Sequence, residues 1–179
     1  MKITTSQRLK YFSLFLMLSI TACGGGSKES TPQTAKPASV KEALALVEAS
    51  GASPALDRST AVIGPDANAD GIRDDVERYI ASTSYPADQK AALRQLSKAM
   101  STTLTAQPTN EASLRTATAQ INDAVACIWK RYPSDRADAA VLEMRKVTIN
   151  TKERYNSYMR YNAAVAGTVV KLPKEIRCE

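Results

Sequence analysis

From Val40 to Ala166 the apolar residues of this chain recur at spacings of three and four between turn-forming breaks, and no run alternates apolar with polar as a half-buried strand would. That pattern restricts the chain to helices packed side on side, an all-α fold. Val40–Ser50 is expected to form a short helix with Val40, Leu44 and Val47 on one face, stopped by Gly51-Ala-Ser-Pro54. Asp74 to about Thr83 forms a second. After Tyr85-Pro86, residues 87–106 carry Leu93, Leu96, Met100 and Leu104 as a core stripe. Pro108-Thr-Asn110 ends that element and offers a cap for a helix from Glu111 to Tyr132. Its inner face reads as Leu114, Ile121, Val125, Ile128 and Tyr132, which puts Cys127 roughly opposite the core. Beyond Pro133-Ser-Asp135 the spacing predicts one long helix, from Arg136 to about Ala166, with Val141, Met144, Thr148, Tyr155, Met159, Asn162 and Ala166 along one side. Such a helix spans roughly 45 Å and stops at Gly167. The expected architecture is a small bundle over residues 40–179, with three main antiparallel helices and two short ones.

A chain of 179 residues, 44% apolar and 6% aromatic, suffices for one domain. Three of its basic residues, Lys2, Arg8 and Lys10, belong to an N-terminal segment that reads as cleavable, so the formal charge of +6 falls to about +3 after removal. That even balance argues against a nucleic-acid partner. Histidine is absent, which excludes Ser-His and Cys-His nucleophile activation and all His-ligated metal sites.

Residues 1–22 have the layout of a secretory signal: a basic start, a short apolar run from Tyr11 to Ile20, then small residues. About ten apolar residues cover half of the roughly 30 Å hydrocarbon core, too few for a permanent span. The segment ends Ile20-Thr21-Ala22-Cys23. This resembles the lipobox of bacterial lipoproteins, and the resemblance implies that Cys23 becomes an acylated mature N-terminus, firmly held because several chains insert together. Gly24 stands where that family's inner-membrane retention signal has Asp, so the resemblance implies the bacterial outer membrane. Residues 23–39 contain no large apolar side chain before Val40 and read as the lipidated cysteine and a flexible, disordered tether. The Gly24-Gly-Gly-Ser-Lys28 string lacks the glycine spacing and preceding strand of a phosphate loop, so no nucleotide is expected.

With Cys23 acylated, Cys127 and Cys178 are the remaining thiols of an exported chain. A disulfide between them would pin a C-terminal segment that otherwise frays, the alternative being two separate buried thiols. Neither has a Cys-x-x-Cys or histidine partner for redox or nucleophilic work. Trp129 with Tyr132, and Tyr155, Tyr158, Met159 and Tyr161 beside Arg154 and Arg160, could form an aromatic ligand platform. Their helical spacing reads more simply as core packing, with the arginine heads in water.

One segment has ligand spacing. Asp66-Ala-Asn68-Ala-Asp70-Gly71-Ile72-Arg73-Asp74-Asp75-Val76-Glu77 places oxygen side chains at positions 1, 3, 5, 9 and 12 of a twelve-residue loop, with glycine at 6. Alternate residues 1, 3 and 5 point toward one centre, glycine permits the sharp turn, and the Ile72 carbonyl at position 7 then faces inward. Asp74 contributes through a water and Glu77 closes the shell with two oxygens. An all-oxygen set suits a hard cation of calcium's size rather than zinc or copper. These residues resemble the EF-hand loop and, more closely, the calcium loops of bacterial thrombospondin type 3 and dockerin-like repeats. Two departures stand out: Arg73 occupies position 8, where a paired EF-hand has an aliphatic residue, and Pro65 disfavours an incoming helix. The loop occurs once, so the dockerin partner is not implied. A metal-free account makes Asp74 and Glu77 a capping box and Asp66, Asn68 and Asp70 turn formers. A lone extracytoplasmic site of this kind binds calcium on the order of 0.1 to 1 mM. The ion would order residues 62–80 and dock the next helix through Val76, Tyr79 and Ile80.

The sequence therefore leads to a non-enzymatic, calcium-stabilised helical lipoprotein of the bacterial envelope, anchored in the outer membrane through its lipid and offering a surface to an envelope protein. The alternative is an envelope enzyme, or enzyme accessory, acting on carbohydrate or peptidoglycan with a carboxylate pair.

Overall fold

The computed structural model describes residues 36–169 and 175–179. The signal segment, Cys23 and the tether as far as residue 35 lie outside the described residues, as do Lys171 and Lys174. Six helices and no strand are present among the described residues: α1 (Val40–Ala49), α2 (Asp74–Ser82), α3 (Ala87–Thr105), α4 (Glu111–Arg131), α5 (Ser134–Thr148) and α6 (Lys152–Val165). The fold is all-α, and no described helix is long and apolar enough to cross a membrane.

Helix α3 is the axle, lying against α2, α4, α5 and α6. Its stripe Leu93, Leu96, Met100 and Leu104 is buried throughout, joined by Ala92 and Ala99. On α4 the face turned inward is Ala117, Ala124, Cys127 and Ile128, while Leu114, Ile121 and Val125 sit half-buried at its edges. The sequence reading placed Cys127 opposite the core, and the structure corrects it. Small residues carry the tightest contact because they let helix backbones approach closely, and the apolar stripe follows the alanines rather than the larger side chains. Cys127 is thereby positioned for Cys178: the pair stands at disulfide distance, with Cα atoms 5.4 Å apart at a sequence separation of 51. A cross-link over such a loop contributes on the order of 4 kcal/mol through chain entropy. Gln95 of α3 adds two hydrogen bonds to the same tail, donating to the Arg177 carbonyl (2.9 Å) and accepting the Glu179 amide (3.2 Å).

The single long helix expected over 136–166 is two helices. Val147-Thr148-Ile149 and Thr151 form a β-branched cluster of low helix propensity, the α5 ladder ends at the Ile149 amide, and the Thr151 side chain caps α6 by accepting the Arg154 amide (3.3 Å). The break resets the helical phase. Met144, Val147 and Thr148 face inward before it, but Arg154, Ser157 and Tyr161 face inward after it, leaving Tyr155 (55% exposed) and Met159 outside with Leu142 in a shallow groove. Trp129 is likewise half-exposed, whereas Tyr132 is buried edge-on against Tyr85, ring centroids 5.5 Å apart. Helix α1 forms as expected, capped by Ser39, but none of its residues is buried and Val40 is 85% exposed, so Val40, Leu44 and Val47 make no core face.

Candidate metal centre

The segment Asp66–Glu77 winds around its own side chains. Ala69 (φ 56°) and Gly71 (φ 89°) both take left-handed backbone, turning the chain twice within three residues. Each turn is held by a carboxylate or amide oxygen accepting main-chain donors. Asp66 accepts the amides of Asp70 (3.2 Å) and Gly71 (2.9 Å), Asn68 Oδ1 also accepts Asp70 (3.2 Å), and Asp70 Oδ1 accepts Ile72 (2.9 Å). Ile72 then inserts its side chain into the core, 3% exposed, and fixes the loop to the bundle. Helix α2 starts at Asp74, whose amide donates to the Pro65 carbonyl (2.9 Å), and docks through buried Val76 and Ile80 and half-buried Tyr79.

Three of the candidate ligands come together, Asn68, Asp70 and Glu77, while the Asp66 carboxylate accepts the Asp70 and Gly71 amides. Asn68 Nδ2 reaches both Asp70 Oδ2 (3.3 Å) and Glu77 Oε2 (3.2 Å). Arg94, projecting from α3, places Nη2 2.8 Å from Asp70 Oδ2 and 2.6 Å from Glu77 Oε1. Asp74 stands apart, its Oδ1 accepting the Ala67 amide (2.9 Å) across the mouth of the loop. That bond also disposes of the capping-box account: Arg73 occupies the N-cap position without a side-chain cap, and Glu77 faces Arg94 and Asn68. Among the described residues no group of three or more Cys, Asp or Glu side chains could hold a metal ion, and amide and guanidinium donors stand between Asp70 and Glu77. Comparison with known protein families, curated proteins and solved structures finds no match to this chain.

Behind the loop lies a second cluster that the sequence reading missed. Arg73, the unexpected residue at position 8, is buried, and it pairs through Nε and Nη2 with Asp75 (2.7 and 2.8 Å). It also donates to the carbonyls of Thr148 (3.0 Å) and Val147 (3.3 Å), placing its charge on the C-terminal end of α5. Arg154 was expected to hold its head in water, yet it is 0% exposed. All five of its N–H groups are used: Nε on Val62 O (3.1 Å), Nη1 on Asp57 O (2.7 Å) and Asn150 Oδ1 (2.8 Å), Nη2 on Asp57 Oδ2 (2.6 Å) and Ala61 O (2.9 Å). Asp75 closes the circuit by accepting the Asp57 amide (2.7 Å). Gly64 (φ +76°) threads the middle, where a Cβ would lie 2.6 Å from Arg73 Cδ and 2.9 Å from both Arg154 Nη2 and Asp57 Oδ2.

Burial opposes the charge on Asp57 and Asp75, but hydrogen bonds from Arg154 and Ser59 to the first, and from Arg73 and the Asp57 amide to the second, outweigh it and hold both carboxyls below their ordinary value. The ordering of residues 62–80, expected from an ion, thus has a basis in two arginines from the chain itself. Only Arg73 carried a signal in the sequence, as the residue that broke the loop's pattern.

Proposed function

We infer that the chain is an outer-membrane-anchored lipoprotein, acylated at Cys23, whose helical domain is a calcium-stabilised binding or structural module of the bacterial envelope. The observation that supports the calcium part is the convergence of Asp70 and Glu77 on a single cationic nitrogen, with Asn68 Nδ2 between the same two acids. Acids held this close require a positive charge between them, and their all-oxygen chemistry suits Ca2+. Asp66, Asn68, Asp70, Glu77 and the Ile72 carbonyl would hold the ion, and Asp74 would act through a water. The ion would supply charge compensation and a rigid link between the loop and α2. The module's partner is a protein of the envelope, reached while the lipid holds the chain at the membrane.

The enzymatic alternative has its best foothold at Glu143, whose carboxyl is raised by burial beside the Tyr85 hydroxyl (3.3 Å) in a cleft with Arg58 and Lys146. That cleft supplies one carboxyl group where glycoside chemistry needs two, so the binding or structural reading is preferred. Two experiments test it. Cys23→Ser is expected to move the protein from the membrane fraction to the soluble one, and unchanged sedimentation contradicts anchoring. Millimolar calcium is expected to raise the melting temperature of the wild type but not of Asp70→Ala, and indifference of the wild type contradicts the site.

A further inference from the structure

The reset of helical phase between α5 and α6 leaves an apolar strip uncovered by the rest of the described chain. Leu142 and Ile149 of α5 and Tyr155, Tyr158 and Met159 of α6 line an open groove of about 370 Å³, in which Leu142, Tyr155 and Met159 are exposed. Large apolar side chains grouped in this way mark a contact surface, where lone ones would need no explanation. Its charges then say what fits. Arg145 and Lys146 stand on the wall, no carboxylate lines the groove, and neither cation forms an ion pair among the described residues. The C-terminal end of α5 does not use up their charge, because buried Arg73 already donates to the Val147 and Thr148 carbonyls there. Leu142 and Lys146 also border the neighbouring cleft, where Leu56 and Tyr79 continue the apolar lining and the one acid, Glu143, accepts the Tyr85 hydroxyl (3.3 Å).

We propose that the α5–α6 groove docks an acidic peptide segment of a partner protein, held by an apolar or aromatic anchor. The anchor fills the groove between Tyr155, Met159 and Leu142, its flanking carboxylates answer Arg145 and Lys146, and the half-buried Asn162 amide can both donate to and accept from the segment's main chain. A neutral glycan would give the two cations no counter-charge, and a flat lipid surface does not follow a concave wall. This rests on the reading of the domain as a binding module, and on neither the loop at 66–77 nor the acylation of Cys23.

The test is a selection from a display library of random dodecapeptides on the full chain. Fluorescence anisotropy of the enriched peptides then compares the wild type with Tyr155→Ser, with Arg145→Gln and Lys146→Gln combined, and with Lys98→Gln, whose charge lies at a different cleft. Each substitution falls on an exposed side chain, and melting temperatures establish that each variant is folded. Peptides with Asp and Glu around an aromatic or large aliphatic residue are expected. Their binding is expected to weaken about tenfold in Tyr155→Ser and in the double variant, to stay unchanged in Lys98→Gln, and to fall with added salt. Enriched peptides without an acidic bias overturn the proposal. So do peptides bound equally by the groove variants, a result that keeps the domain a binding module with its surface elsewhere. Enrichment of no peptide overturns the proposal and favours the purely structural module, unless phosphatidylglycerol vesicles bind the wild type but not Tyr155→Ser, which overturns it in favour of a lipid surface.

Discussion

Two clusters of acids lie side by side in this molecule, and arginine neutralises both, by different means. In the cluster around Gly64, Arg154 and Arg73 are buried, bonded through Nε and both terminal nitrogens, and joined to carbonyls as well as carboxylates. In the loop beyond it, Arg94 is half-exposed and bridges two carboxylates through one nitrogen. A buried, multiply bonded pair resists opening because each separated charge would be stranded out of water. An exposed pair opens at little cost, since water replaces its partner. The first arrangement fixes structure. The second is open to solvent.

The widest test of that contrast is to remove the cations one at a time. Arg154→Met strands Asp57 and several carbonyls, and is expected to cost about 3–5 kcal/mol in urea unfolding, or to prevent folding altogether. Gly64→Ala attacks the same cluster without touching a charge. Its Cβ collides with Arg73, Arg154 and Asp57 and its φ is unfavourable, so a loss of about 1–3 kcal/mol is expected. A loss near zero for either substitution breaks the claim that this cluster is structural. Acid is a gentler probe. Because the Asp57 and Asp75 carboxyls lie below their ordinary value of 3.8 in the folded chain, the stability they contribute is complete above that value and lost as pH falls through the lowered one. Melting temperature is expected to drop steeply below about pH 4, with a shallower slope in Asp75→Asn. Arg94→Gln in chelator is expected to cost less than about 1 kcal/mol. The smallest effect belongs to Glu143, outside both clusters: burial raises its carboxyl, so its charge costs stability above the raised value, and Glu143→Gln is expected to stabilise by a few tenths of a kcal/mol at pH 7.

The helical class and the α3 stripe were legible in the sequence because Leu93, Leu96, Met100 and Leu104 are large, apolar and regularly spaced. The α5–α6 break was not, since residues 149–151 hold neither Gly nor Pro, and β-branching combined with the Thr151 cap is a weaker signal that tertiary packing decides. One missed break was enough to misplace Tyr155 and Met159 in the core and Arg154 in water. Cys127 was misplaced for a different reason: hydropathy weights favour Leu and Val, whereas close helix packing selects Ala and Cys. In the loop, the spacing grouped Asp66, Asn68, Asp70 and Glu77, of which Asn68, Asp70 and Glu77 share hydrogen-bond and ion-pair partners in the structure. Arg94 lies 17 residues beyond Glu77 on another helix, and nothing local in the sequence marks it as their partner.

Hydrogen exchange with and without calcium, read separately for residues 57–64 and 66–77, tests the difference between the two clusters most directly. The account predicts that calcium slows exchange of the Asp70, Gly71 and Ile72 amides while the 57–64 segment, already locked by Arg154 and Arg73, keeps its protection unchanged. Equal protection gains in both segments, or none in either, would contradict it.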